Sequence, residues 1–109
     1  MNEKLKQVSE LVAKANDMFY NKFKTVDTLM GIMDKALRKQ GMNADAITLD
    51  CVALDKKIVV LLHDHKPDTV DIALGNKAGD IFSSTEFNIG ELSETVILAI
   101  LEKNFIAQE

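Results

Sequence analysis

The pattern of apolar and polar positions predicts the elements of this chain. Near its start, Leu5, Val8, Val12, Ala15 and Phe19 recur at steps of three and four, which puts them on one stripe of an amphipathic helix. A second stripe with the same alternation, Phe23, Val26, Met30, Met33 and Leu37, follows a four-residue step from Phe19. Asn and Thr between 21 and 25 are good N-cap residues, so the pattern predicts a break there and a second helix, one continuous helix being the other reading. Lys35, Arg38 and Lys39 suit the C-terminal dipole of this second helix, and Gly41 suits a left-handed cap after it. Gly31 falls inside the stripe and reads as tolerated there, a close backbone approach being the other reading.

From Ala46 to Leu54 the period changes to two, with Ile47, Leu49 and Cys51 on one face and Thr48, Asp50 and Val52 on the other. Asp55-Lys56 turns the chain into Ile58, Val59, Val60, Leu61 and Leu62, an unbroken run that reads as a strand apolar on both faces. Pro67 cannot donate a ladder hydrogen bond, so this strand is expected to stop near His65, with Lys66 to Thr69 as a tight turn. Strands at Val70 to Gly75 and Ile81 to Phe87 follow, joined by a loop at Asn76 to Gly79. These links are too short for crossovers, so the strands form an antiparallel meander. Asn88 with Glu91 resembles a capping box that opens a last helix. The fold class expected is α+β in the order ααββββα: two N-terminal helices, a four-stranded antiparallel meander sheet and a C-terminal helix.

That last helix has an apolar face of Leu92, Val96, Ala99 and Ile100, and a second, roughly opposite, of Ile97, Leu98, Leu101 and Phe105. A helix apolar on both sides is normally sandwiched between two layers. A chain of 109 residues with 47% hydrophobic content makes one domain, 1–109, with few layers to offer. Self-association through Ile97, Leu98, Leu101 and Phe105 supplies the missing layer.

Charge and composition narrow the function classes. The net charge is -4, and thirteen Lys and Arg are scattered among seventeen acids, a balance that disfavours a nucleic-acid partner. With one Tyr, five Phe and no Trp there is no basic and aromatic run on which bases would stack. Nothing approaches the ~18 apolar residues of a membrane span, and the opening MNEKLKQVSELVAK carries charge where a signal peptide has its apolar core, so no membrane role is expected. Cys51 is the one cysteine, which excludes an internal disulfide, fits a reducing compartment and points to the cytoplasm. It falls on the apolar face of its strand and reads as buried and inert.

Candidate chemistry concentrates at His63-Asp64-His65 with Asp68 and Asp71. His63 and His65 share one side of a strand, the spacing at which two imidazoles reach one ion, so His63, His65 and Asp68 are the candidate divalent-metal ligands. With Lys66 to Thr69 as the turn, Asp64 lies opposite Asp71, whose like charges need solvent, a lysine or a cation, and His63 lies opposite Ile72. A longer loop shifts that register. No third ligand is near in sequence, Ser83 and Ser84 lack a nucleophile elbow, and Gly75 and Gly79 match no phosphate loop. Met30, Met33 and Met42 read as adaptable packing. The leading expectation is therefore a non-enzymatic cytoplasmic homodimer that binds proteins, adaptor- or chaperone-like by analogy of size and composition, with no cofactor. The alternative is a small metal-binding protein or metal-dependent hydrolase at the His63/His65 turn.

Overall fold

The structure, a computed structural model, describes residues 2–106. Helix α1 (Glu3–Lys22) is followed by strand β1 (Thr28–Met33), a single helical turn α2 (Ala36–Lys39), strands β2 (Ala44–Cys51), β3 (Lys56–His63), β4 (Thr69–Gly75) and β5 (Ile81–Asn88), and helix α3 (Glu94–Phe105). The strands form one antiparallel sheet in the order β1-β2-β3-β4-β5.

The expected second helix is thus corrected to a strand and one turn, and the four-stranded sheet to five. Residues 28–33, TLMGIM, pair along their full length with β2, from Thr28 opposite Cys51 to Met33 opposite Ala46. The helical spacing of Val26, Met30 and Met33 coincides with a strand whose two faces are both largely apolar, and a strand without polar alternation carries no period-two signal. The open edge of β2 decides between the two conformations, since it offers a ladder to a segment that Gly31 already weakens as a helix. Gly31 is also more than tolerated: a Cβ there would lie 2.9 Å from Thr48 Oγ1 on the neighbouring strand.

The other elements follow the residue pattern closely. Asn2 caps α1, its Oδ1 accepting the Leu5 amide at 2.7 Å. Leu5, Val8, Val12, Ala15 and Phe19 are all fully buried, as their stripe requires. Gly41 and Gly79 take positive φ angles of 92° and 97°, which glycine adopts without strain. At the last helix the cap differs from the expected one. Asn88 does reach Glu91, Nδ2 to Oε1 at 2.8 Å, but this closes a 3-10 turn, Ile89–Glu91. The N-cap of α3 is Ser93, whose hydroxyl accepts the Val96 amide at 3.1 Å.

Both long helices cover one face of the sheet. Ile47, Leu49, Ile58, Val60, Leu62, Val70 and Ile72 form a single core with the α1 stripe and with Leu92, Ile97, Leu101 and Phe105. Cys51 belongs to that core and is fully buried. Among the described residues no helix is long and apolar enough to cross a membrane.

Candidate functional site

The β3–β4 connection is longer than a tight turn. Leu61 lies opposite Asp71 and Val60 opposite Ile72, so β3 ends at His63 and residues 64–68 link it to β4. This is a register shifted from the expected one, and it redistributes the charged residues. Asp71 now shares a face with Leu61 and His63, and the His63 Nε2 is 3.4 Å from Asp71 Oδ2. Lys66 sits over the same carboxylate at 3.9 Å and reaches Glu86 of β5 at 3.1 Å. Its hydrogen bond to Glu86, and then the charge of Asp71, hold the Lys66 ammonium above the ordinary lysine pKa. Asp71 therefore lies between Lys66 and His63; it does not oppose Asp64.

Asp64 points instead to Arg38, in the turn α2. The guanidinium donates Nη1 to Asp64 Oδ2 at 2.8 Å and Nη2 to Asp64 Oδ1 at 2.9 Å. Its remaining edge donates Nε and Nη2 to Asp45, both at 3.0 Å. Asp45, only 2% exposed, also accepts from Asn2 Nδ2 at 2.9 Å, so the residue that caps α1 is tied to the start of β2. Lys4 completes the clamp by donating Nζ to the Lys66 carbonyl at 2.7 Å and the His63 carbonyl at 3.3 Å. Burial lowers the Lys4 pKa, with the charges of Asp64, Asp68 and Asp71 opposing the shift. The first turn of α1, α2, β2 and the β3–β4 connection are thus locked by one polar network. Sequence reasoning missed this network because its partners are distant in the chain and no local spacing connects them.

Hydrogen bonds from Arg38 hold the Asp64 carboxyl below the ordinary carboxylate pKa, against the opposing effect of desolvation. A depressed folded-state pKa gives stability that is present above the unfolded value and lost as pH falls through the folded one. The stability difference between the wild type and Asp64→Asn is expected to be constant above about pH 5 and to shrink steadily below about pH 4. Urea denaturation at a series of pH values measures it; a difference that persists undiminished at the acid end would show that the charge of Asp64 is not what the pair depends on.

Of the candidate metal ligands, the His63 and His65 rings lie 5.3 Å apart, tilted by 52°. Asp68 is exposed, accepts the Ile89 amide through its backbone oxygen at 2.9 Å, and lines a shallow depression with Glu3, Lys4, Pro67 and Asn88. Among the described residues no three or more His, Cys, Asp or Glu side chains gather as a metal ion would require.

The four candidate interface residues of α3 lie as follows. Ile97, Leu101 and Phe105 are 4%, 0% and 1% exposed and form part of the chain's own core, with Leu98 partly buried against it. The second layer that the two-faced helix needs is provided within the chain by α1 and the sheet. The more exposed side of α3 is the one that carries Ala99.

Uncovered apolar surface is found on the sheet instead. Its face away from α1 and α3 carries two continuous cross-strand rows: Gly31, Thr48, Val59, Ala73 and Ser84, and beside it Met33, Ala46, Leu61, Asp71 and Glu86. Met33, Val59 and Leu61 are half-buried, and they belong neither to the core nor to the side chains packed against it. Leu29 at one edge is 63% exposed. At the other edge Gly75 pairs with Ile81 and Leu74 with Ser83, a bulge that sends both Ile81 and Phe82 to this face. No family model matches the chain, and no curated protein or solved structure is significantly similar to it.

Proposed function

We propose that the protein is a non-enzymatic, cytoplasmic interaction domain, adaptor- or chaperone-like, that works as a homodimer joined through the open face of its sheet. The observation that carries this is the group of apolar side chains, Met33, Val59 and Leu61, on the sheet face away from both long helices. An antiparallel sheet with one side in water normally alternates apolar inward with polar outward, yet β3 places Val59 and Leu61 outward between the buried Ile58, Val60 and Leu62. Ala44, Ala46 and Ala73 beside them are small and buried. Charges adjoin this group: Lys57 is 3.8 Å from Asp50, and Lys66 spans Asp71, the cross-strand neighbour of Leu61, and Glu86. An apolar centre with a polar rim is the ordinary anatomy of a protein interface.

In a two-fold dimer each residue enters the interface twice, so one substitution acts on both sides. The wild type is expected to show twice its 12.1 kDa chain mass in light scattering behind a sizing column. Leu61→Lys should return it to the chain mass, with thermal unfolding still cooperative because this side chain lies outside the core. A wild type that stays at the single-chain mass as its concentration rises would refute the homodimer.

A further inference from the structure

We infer that the free edge of β5, with the cleft between β5 and α3, is a strand-addition site for an extended segment of a protein partner that carries apolar residues at alternate positions and a carboxylate at one end. β5 is the last strand of the sheet, so among the described residues one of its edges has no strand beside it. Seven of its eight residues are exposed, Phe87 being the partly buried one. Natural edges are usually blunted by Lys, Pro, a bulge or a covering loop. Here the bulge affects only Ile81 and Phe82, and from Ser83 to Asn88 the strand pairs regularly with β4 and carries Glu86 as its only charge. The other edge strand, β1, is shorter, at six residues.

The side of β5 that faces α3 borders a cleft among the described residues. Ser83 and Thr85 are small, and with Phe87, Ile72, Ile100 and Lys103 they help to line a cleft of about 190 Å³. A segment hydrogen-bonded to the β5 edge would direct every second side chain toward α3, where this cleft offers apolar walls. The choice of a carboxylate rests on charge. Among the described residues Lys103 is the one charged residue in the cleft lining, and it is exposed. Lys56, on the same face of the sheet, instead donates its Nζ to the Asn104 carbonyl at 3.0 Å. Main-chain pairing would supply affinity, and the cleft with Lys103 would supply selection. This surface is distinct from the open face through which the homodimer forms, and the inference does not depend on that dimer.

The test uses the full chain and a fluorescein-labelled peptide of alternating Val and Thr, made with Glu at either end, with Lys in place of Glu, and with alternate backbone amides N-methylated. Anisotropy titration is expected to show saturable binding of at least one Glu-ended peptide, weaker binding of its Lys counterpart, and none of the N-methylated form. Lys103→Glu should weaken the Glu-ended peptide by about fivefold and favour the Lys-ended one. Hydrogen exchange should slow at amides within 83–87. Leu61→Lys should leave peptide binding unchanged, which separates this site from the dimer. Absence of saturable binding by either Glu-ended peptide, equal binding of the N-methylated peptide, or indifference to Lys103→Glu would overturn the inference. So would a peptide that binds only by splitting the dimer, because β5 would then be the self-interface.

Discussion

Phe105→Ala is expected to lower the free energy of unfolding by about 3–5 kcal/mol, the usual cost of removing a fully buried aromatic ring. The ring sits at the end of α3 and is 1% exposed. It meets Phe19 of α1 edge-on, with centroids 6.2 Å apart and planes at 70°, and Phe19 in turn lies 5.3 Å from Phe23. The contact joins the last turn of each helix. A cavity there loses both the transfer energy of the ring and its contacts, and the surrounding strands restrict collapse into the space. The outer ion pair between Lys22 and Glu102, at 3.1 Å, cannot compensate, since an exposed pair contributes at most about 1 kcal/mol. Urea denaturation of the variant measures the loss. A double cycle with Phe19→Ala should show coupling of about 0.5–1.5 kcal/mol, the part that belongs to ring geometry. A loss below about 1.5 kcal/mol would mean that the ring is not held in a tightly packed site.

Asp45→Ala is expected to cost about 2–3 kcal/mol, more than its single position in a strand suggests. Three hydrogen bonds end on this carboxylate, two from Arg38 and one from Asn2. Their loss leaves the Asn2 amide without this acceptor and frees α2 from the start of β2. Asp45→Asn keeps the shape but removes the charge, so it should recover part of the loss. Hydrogen exchange should locate the damage: amides in the first turn of α1 and in residues 63–68 should exchange faster, while those in β4 and β5 change little. Uniform acceleration over the whole sheet would mean that the network does not act locally.

The two predictions differ in how far the sequence leads to them. Phe105 and Phe19 are visible as members of apolar stripes, and their burial follows from helical period alone. Asp45 gives no such signal. It stands in a strand between two alanines, and its importance arises because α1, α2 and the β3–β4 connection converge there. The same holds for Asp64, whose charge looked unmatched against Asp71 until the register and Arg38 were known. The His63/His65 spacing was legible, but β3 ends at His63 and leaves His65 in the connection, and among the described residues no third ligand joins them. Asp68 lies on the five-residue connection 64–68, where its backbone oxygen accepts the Ile89 amide.

What the sequence determines by itself is whatever rests on short-range period and local stereochemistry. That covers the buried stripe of α1, the strand character of β2 to β5, the buried Cys51, the glycine turns at Gly41 and Gly79, and the α+β class with an antiparallel sheet. The tertiary structure decides wherever two readings have similar local energies. Residues 28–33 become a strand because β2 presents an unpaired edge, and an edge ladder satisfies backbone groups that an isolated turn of helix around Gly31 would hold weakly. In the same way the two apolar faces of α3 are legible as a period, but period cannot say what covers them. The packing of α1 and the sheet takes residues of both faces into the chain's own core, and the apolar side chains left outside that core include Val59 and Leu61 on the outer side of β3. The unbroken run from Ile58 to Leu62 already implied two apolar faces, and only the arrangement of layers shows which of them is buried in the core and which lies outside it.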